Sequence, residues 1–532
     1  MTPQKKLNTW LPLLFAIIMV AGMSAGYVLR ENTAKPGSLF KQQKSSPMQQ
    51  VLDLIQLKYV DPVSPDTLTD NAIQQVLAKL DPHSIYIPAS NLGEINEDLQ
   101  GNFQGIGVEF NIFNDTVNIV SVMENGPSDK AGLKVGDRIL KVGDSVVAGN
   151  GITTARIKKL LRGPGASTVV LTLMRTDKTI AISLQRGMIP LVSVDASYMM
   201  DKQSGYIHIN KFSETTYREF MISLEKLQKQ GMQKLMLDLR DNGGGILQEA
   251  IEMADEFLDG NKLIVYTQGN NSPKQEYRCK RDGLFEKGKL VVLVNEGTAS
   301  ASEVLVGALQ DWDRAEIIGR RTYGKGLVQE QYDLADGSAL RLTIARYYTP
   351  SGRSIQKPYN KGEDEYASDI VNRYHNGEMT NADSNHVQLK GKAFKTQSGR
   401  DVYSGGGIMP DVFVSVDTSV ISRNFARLYT NNTLSNFAYH YYMQHQAELK
   451  TIPSATDLFN RYKTSEPLWN QFSAFAIKDS VNISGFTAKD REFAQQRLLS
   501  LIARQQWRNN GFYEVINEND LTVKKGIEEI NK

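Results

Sequence analysis

The run Thr298-Ala299-Ser300-Ala301-Ser302-Glu303 follows an apolar stretch, Val292-Leu293-Val294, through Asn295-Glu296-Gly297 and opens a helical pattern. A hydroxyl at such a strand-to-helix junction meets free backbone N–H groups and the positive end of the helix dipole. That environment suits a nucleophile with an oxyanion hole beside it. Helix capping accounts for the same hydroxyls, and Thr298 or Ser302 need do nothing more. Taken alone, this segment leaves catalysis and capping evenly matched.

A second segment, Tyr323-Gly324-Lys325-Gly326-Leu327-Val328-Gln329, favours catalysis. Glycines on both sides let the backbone pass close to a neighbouring element and press the lysine into a crowded place. Burial lowers a lysine's pKa, and a neutral amine can take a proton from a serine hydroxyl. Gln329, four residues on, would share a strand face with Lys325 and could orient its amine. A phosphate-binding loop is a poor alternative, because the upstream glycine and the Ser or Thr after the lysine are both missing. The third segment, Asp238-Leu239-Arg240-Asp241-Asn242-Gly243-Gly244-Gly245, also runs from strand to helix, and its turn could supply further oxyanion donors.

Other nucleophiles and bases compete weakly. None of the six histidines, His83, His208, His375, His386, His440 and His445, belongs to a zinc-helix pair, and no Gly-x-Ser-x-Gly elbow is present. Each reads as structural or solvated. The single cysteine, Cys279, lies in a polar stretch, reads as an incidental loop thiol, and excludes any internal disulfide.

These segments need a scaffold. From 188 to 358 strands alternate with helices: 205–210, 215–230, 234–239, 245–257, 290–295, 301–310 and 315–318. That alternation predicts an α/β layer with parallel pairs. Residues 100–187 read as a small β-rich domain, with strands at 117–122, 138–142 and 168–174 and helices at 127–131 and 155–161. Residues 47–99 begin helical, 359–400 read as a polar surface insertion, 401–416 as strand-like, and 418–532 as a mostly α domain.

With 532 residues the chain is too long for one core. Its 61 Lys and Arg against 59 Asp and Glu give no field for nucleic acid, and no aromatic-and-basic stripe is present. Lys5 and Lys6 precede an apolar run from Trp10 to Leu29, about the length that spans a bilayer. The reading is an anchor over 1–30, then a linker over 31–46, with the rest outside the cytoplasm. A cleaved signal segment competes, because Ala21 to Gly26 offers small residues.

Together the segments resemble the C-terminal processing peptidases, or tail-specific proteases, over about residues 48 to 417. The resemblance rests on Leu80-Asp81-Pro82-His83-Ser84, Gly105-Ile106-Gly107-Val108, the Asp238-to-Gly245 turn, Thr298 to Glu303, Gly324-Lys325-Gly326, and Tyr347 to Gln356, in that order. It implies a Ser–Lys dyad assisted by a glutamine. The family's spacing, with the lysine 25 residues after the nucleophile, makes Ser300 the nucleophile, Lys325 the base and Gln329 its helper, with Ser302 left to cap the helix. It further implies oxyanion donors at Ala301 and at Gly244 or Gly245. The 100–187 domain resembles a PDZ module, in which Gly105, Ile106, Gly107 and Val108 would bind a terminal carboxylate. Gly243 stands where the family often has proline, and 359–400 separates motifs that usually lie closer.

The expectation is therefore a multidomain α+β protein. It has an α/β protease core (188–358 and 401–417), an inserted PDZ-like β domain, a helical N-terminal segment and a mostly α C-terminal domain. As a serine endopeptidase it would cut near the C-termini of exported proteins at the outer face of the cytoplasmic membrane, without metal or organic cofactor. A homo-oligomer or a regulatory partner is left open. The rival reading is a non-catalytic PDZ-based scaffold that only binds tails.

Overall fold

Apolar residues that run without interruption along a strand must be buried on both faces. Leu235–Leu237 and Leu290–Val294 do this within strands Lys234–Asp238 and Lys289–Val294; with Ser204–Ile209, buried throughout, these strands form the centre of the larger sheet. The computed structural model describes residues 3–32, 46–381, 391–418 and 423–532. Its six-stranded sheet runs Val194–Met199, Ser204–Ile209, Lys234–Asp238, Lys289–Val294, Glu316–Gly319, Val412–Phe413. The first pair is antiparallel and the rest are parallel. Ile207, Leu237 and Val292 face one side, packed with Phe220, Leu224, Ala250 and Val304 of helices Thr216–Lys229, Leu247–Asp255 and Ala301–Asp311. Tyr206, Met236, Val291 and Leu293 face the other, against Val523 and Ile530 of helix Leu521–Ile530. Helix Leu521–Ile530 thus completes the core of the larger sheet rather than belonging only to the C-terminal helical cluster.

A second, antiparallel sheet was not foreseen. Its order is Ile85–Ile87, Ala339–Tyr348, Leu263–Gln268, Gln275–Arg278, and Leu327–Asp333 also pairs with Ala339–Tyr348. It carries the strand that follows Lys325. The PDZ-like unit is a sheet ordered Val108–Phe113, Thr116–Val122, Arg138–Val142, Thr168–Arg175, Lys178–Gln185, around buried Ile119, Ile139, Ile157 and Leu171. Val108–Phe113 is an edge strand, the position at which an extended peptide can add. Helices between Arg423 and Asn517 enclose their own core, including Phe437, Leu458, Phe472 and Leu498.

Residues 1–76 form a separate unit, with helices Pro3–Asn32 and Pro47–Lys58 and most of Pro65–Leu77. The membrane anchor expected over 1–30 is not supported: among the described residues no helix is long and apolar enough to cross a membrane. Pro12, Gly22, Ser24 and Gly26 interrupt the apolar run within the first helix. Nearly all of the linker expected over 31–46 lies outside the described residues.

Three further expectations change. The insertion is not only surface: helices Glu363–Ala367 and Asp369–His375 bury Tyr366 and Arg373. Residues 401–416 hold only the short strands Asp401–Tyr403 and Val412–Phe413. Cys279 is buried in the core of the larger sheet, not in a solvated loop, and burial pushes its thiol up to about 12. That is far from a thiolate nucleophile.

Candidate active site

Ser300 caps helix Ala301–Asp311 and ends the loop that leaves strand Lys289–Val294. Its backbone, at φ 57° and ψ −117°, lies in a region costly for a residue with a Cβ, the kind of strain that concentrates at functional sites. The neighbouring hydroxyls are committed elsewhere. Thr298 Oγ1 donates to the Leu239 carbonyl at 2.8 Å, and Ser302 Oγ to the Asn242 carbonyl at 3.1 Å. The capping assigned to Ser302 therefore falls on Ser300, and Ser302 joins the loop to the glycine turn instead.

That turn presses against the serine. A Cβ on Gly244 (φ +91°) would stand 2.7 Å from Ser300 Cβ, 2.6 Å from the Ala299 carbonyl and 2.9 Å from Ala301 N, so only glycine fits. Asn242, fully buried, organises the contact. Its carbonyl accepts from Ala299 N at 2.9 Å, and its Oδ1 accepts from Gly244 N at 2.9 Å. Gly244 thus spends its N–H inside the turn, whereas the N–H groups of Gly245 and Ala301 have no partner among the described residues. Asp238 and Arg240 of the same signature form a buried ion pair at 2.6 Å, and Arg240 reaches Asp520 at 2.8 Å. These two brace the turn.

Lys325 is half-buried just before strand Leu327–Asp333. Burial holds its pKa below the ordinary lysine value, Arg341 pushes the same way, and Asp81 and Glu303 oppose. Its Nζ donates to Gln329 Oε1 at 2.9 Å. The contact forms although Lys325 precedes the strand, because a bulge at Val328/Gln329 re-aims the glutamine. No hydrogen bond joins Lys325 to Ser300 among the described residues.

Glu303 links the two loops, and the sequence reading gave it no role. Fully buried, it accepts from Ser300 N (2.9 Å) and Lys325 N (2.8 Å) on Oε2, and from Gly324 N (2.8 Å) and Thr322 Oγ1 (2.5 Å) on Oε1. One carboxylate thereby fixes the backbone of Ser300 against that of Lys325. Burial raises its pKa, and the four hydrogen bonds oppose that. His83 was also passed over. Its carbonyl accepts from Gln329 Nε2, and desolvation followed by the charge of Lys325 brings its imidazole down to about 4. Asp81 anchors this corner, accepting from His83 N (2.8 Å), Ser84 N (2.9 Å), Ser84 Oγ (2.6 Å) and Thr343 Oγ1 (3.1 Å).

In the PDZ-like unit the carbonyls of Ile106 and Gly107 accept from Ser128 N and Met123 N, both at 3.0 Å. The N–H groups of Ile106 and Gly107 are left without a partner among the described residues, next to the edge strand that begins at Val108.

The chain is 34% identical over 312 residues to the carboxy-terminal-processing protease of Bartonella bacilliformis, covering 58% of this chain and 71% of that one. It is 33% identical over 342 residues to the carboxy-terminal processing protease CtpA of Bacillus subtilis, covering 64% and 71%. Peptidase family S41 matches residues 203–370, and a PDZ domain matches 119–175. The chain belongs to the C-terminal processing proteases of peptidase family S41. Among solved structures, a photosystem II D1 C-terminal processing protease is 32% identical, covering 58% of this chain and 83% of that one, at a TM-score of 0.34. The PDZ domain of a carboxy-terminal protease from Vibrio cholerae, solved with a peptide, is 30% identical and covers 17% and 99%, at a TM-score of 0.16. Residues 424–508 of the protease match a family of unknown function, DUF8443.

Proposed function

We propose that the protease is a serine endopeptidase in which Ser300 is the nucleophile and Lys325 the general base. The observation that carries this is the buried Glu303 carboxylate, which holds the backbones of Ser300 and Lys325 at 2.9 and 2.8 Å. Two loops from neighbouring strands are locked together there, one bearing a strained serine and the other a lysine held below its ordinary pKa.

In this reading the terminal carboxylate of a protein tail is captured by the N–H groups of Ile106 and Gly107, and the tail pairs with edge strand Val108–Phe113. Lys325, neutral, turns from Gln329 to Ser300 Oγ and takes its proton as the oxygen attacks a peptide carbonyl. The oxyanion is met by the Ala301 N–H and by an N–H of the Gly244–Gly245 turn. The protonated lysine then gives its proton to the leaving amine, and water, activated by the same lysine, hydrolyses the acyl-enzyme. The basic-then-apolar N-terminal stretch favours exported proteins as substrates.

The test is cleavage of a reporter protein carrying an apolar C-terminal tail. Ser300→Ala and Lys325→Ala should each abolish turnover while tail binding stays at the parental level. Parental cutting by both variants would rule the dyad out.

A further inference from the structure

The insertion after residue 358 does more than decorate the surface. Its first helix, Glu363–Ala367, delivers Tyr366 to the interior at 5% exposure. Tyr366 Oη lies 2.7 Å from His83 Nε2, and the two rings meet edge to face at 5.3 Å. The His83 carbonyl in turn accepts from Gln329 Nε2, and Gln329 Oε1 accepts from Lys325 Nζ at 2.9 Å. A continuous path of contacts therefore runs from the insertion to the amine. The next helix, Asp369–His375, grips the same loop, with Arg373 donating to the Thr322 carbonyl at 2.8 Å and the Tyr323 carbonyl at 3.2 Å.

We infer that Tyr366 is a positioning residue for the general base, acting through His83 and Gln329 to aim the Lys325 amine. This rests on the Ser300–Lys325 reading above. Gln356 Nε2 donates to Tyr366 Oη at 3.4 Å, which leaves the phenol's own proton free to be given to His83 Nε2. In the proposed arrangement His83 is the neutral tautomer with its proton on Nδ1. The hydroxyl fixes the segment whose carbonyl anchors Gln329 and keeps a second positive charge away from Lys325. The titratable and charged groups facing this corner are Arg341, Asp81, Glu303, Tyr323, whose ring lies 6.1 Å from that of Tyr366, and Lys357, with Nζ 4.1 Å from the Tyr366 ring. A phenylalanine at 366 would keep that ring contact and remove only the hydroxyl.

The experiment is steady-state kinetics of the full chain against pH, for Tyr366→Phe, Gln329→Met and the double variant. Tyr366→Phe should lower kcat about five-fold, the value of one neutral hydrogen bond, and leave KM within two-fold. The acid limb of kcat should move down by about half a pH unit. A loosened Gln329 no longer favours the ammonium, and an imidazolium at 83 would also disfavour it. In the Gln329→Met background the tyrosine change should cost nothing more. An unchanged kcat and limb would overturn the inference, as would additive losses, or a lower plateau with an unmoved limb and a lower melting temperature. Ser300→Ala and Lys325→Ala in the same series separate the two claims. If both are dead while Tyr366→Phe is parental, only the role of Tyr366 falls. If both are active, the dyad itself falls.

Discussion

Replacing Glu303 by glutamine tests whether one carboxylate aligns the nucleophile with the base. All four of its partners are donors: Ser300 N, Lys325 N, Gly324 N and Thr322 Oγ1. A carboxylate accepts all four, whereas a glutamine offers one oxygen and turns an NH2 toward one of the two pairs. Facing Ser300 and Lys325, that NH2 would leave two buried N–H groups unpaired. The less costly choice faces Gly324 and Thr322, where the hydroxyl could reverse and accept. Thr322 Oγ1 already accepts from Ile408 N at 2.7 Å, however, and Gly324 N would still lose its acceptor. Hydrogen bonds to a charged group are worth about 1.5–3 kcal/mol each, and at least one is lost outright while the remainder lose their charge. A destabilisation of about 3 kcal/mol follows. Denaturant unfolding of Glu303→Gln should show it as a lower midpoint with an unchanged slope. Turnover should fall by about 10-fold under conditions where the variant stays folded, because a neutral amide oxygen holds Ser300 N and Lys325 N less firmly and Gly324 N is left without its acceptor. A folded variant with parental kcat would refute the reasoning.

Three further outcomes follow from the geometry. The rate should climb with pH, since the amine must lose its proton; the midpoint should lie below the ordinary lysine value of 10.5, read from kcat against pH. Gly244→Ala should cut kcat by about 100-fold with little change in KM, because its Cβ would displace Ser300 or the oxyanion turn; single-turnover kinetics reads this. His83, lowered from 6.5 to about 4, is disfavoured as a cation in the fold, so its contribution is complete above pH 6.5 and is lost as pH falls toward 4, by at most roughly 3 kcal/mol. Unfolding of His83→Gln should accordingly show a shallower decline between pH 6.5 and 4.5 than the parent.

The parallel sheet was legible because its strands are buried on both faces, and an uninterrupted run as short as Leu290 to Val294, bounded by turn residues, suits a doubly covered strand better than a helix. Ser300, Lys325 and the glycine turn were legible because unusual residues crowd at strand ends. The antiparallel sheet was not. Strand Ala339–Tyr348 mixes Arg341, Thr343 and Arg346 with Leu340 and Leu342 and is only half-buried, so its pattern resembles loop. Arg373 shows the deeper limit. It is 2% exposed, yet what buries it is a set of backbone carbonyls, and no hydrophobic period records those. Glu303 was in view within the motif, but its partners Thr322, Gly324 and Lys325 lie on another loop. Its place in the motif therefore suggested no role for it.

The arrangement also answers how a lysine can be poised as a base with two carboxylates near it. Asp81 and Glu303 each raise its pKa, yet burial and Arg341 prevail. Both carboxylates are saturated by other donors, four apiece, and among the described residues neither forms an ion pair with Lys325 Nζ. A direct ion pair would fix the ammonium and remove the base. Spending those charges on backbone N–H groups and hydroxyls lets the same carboxylates position the site without protonating it. Among the described residues the only hydrogen bond at the amine is to the neutral amide of Gln329, a partner that orients it at little cost to its neutral form. Gln329→Glu would reverse this. Placing a charge at Lys325 Nζ should raise the base's pKa and move the acid limb of kcat upward by a unit or more, whereas an unmoved limb would show that the amide's neutrality is immaterial.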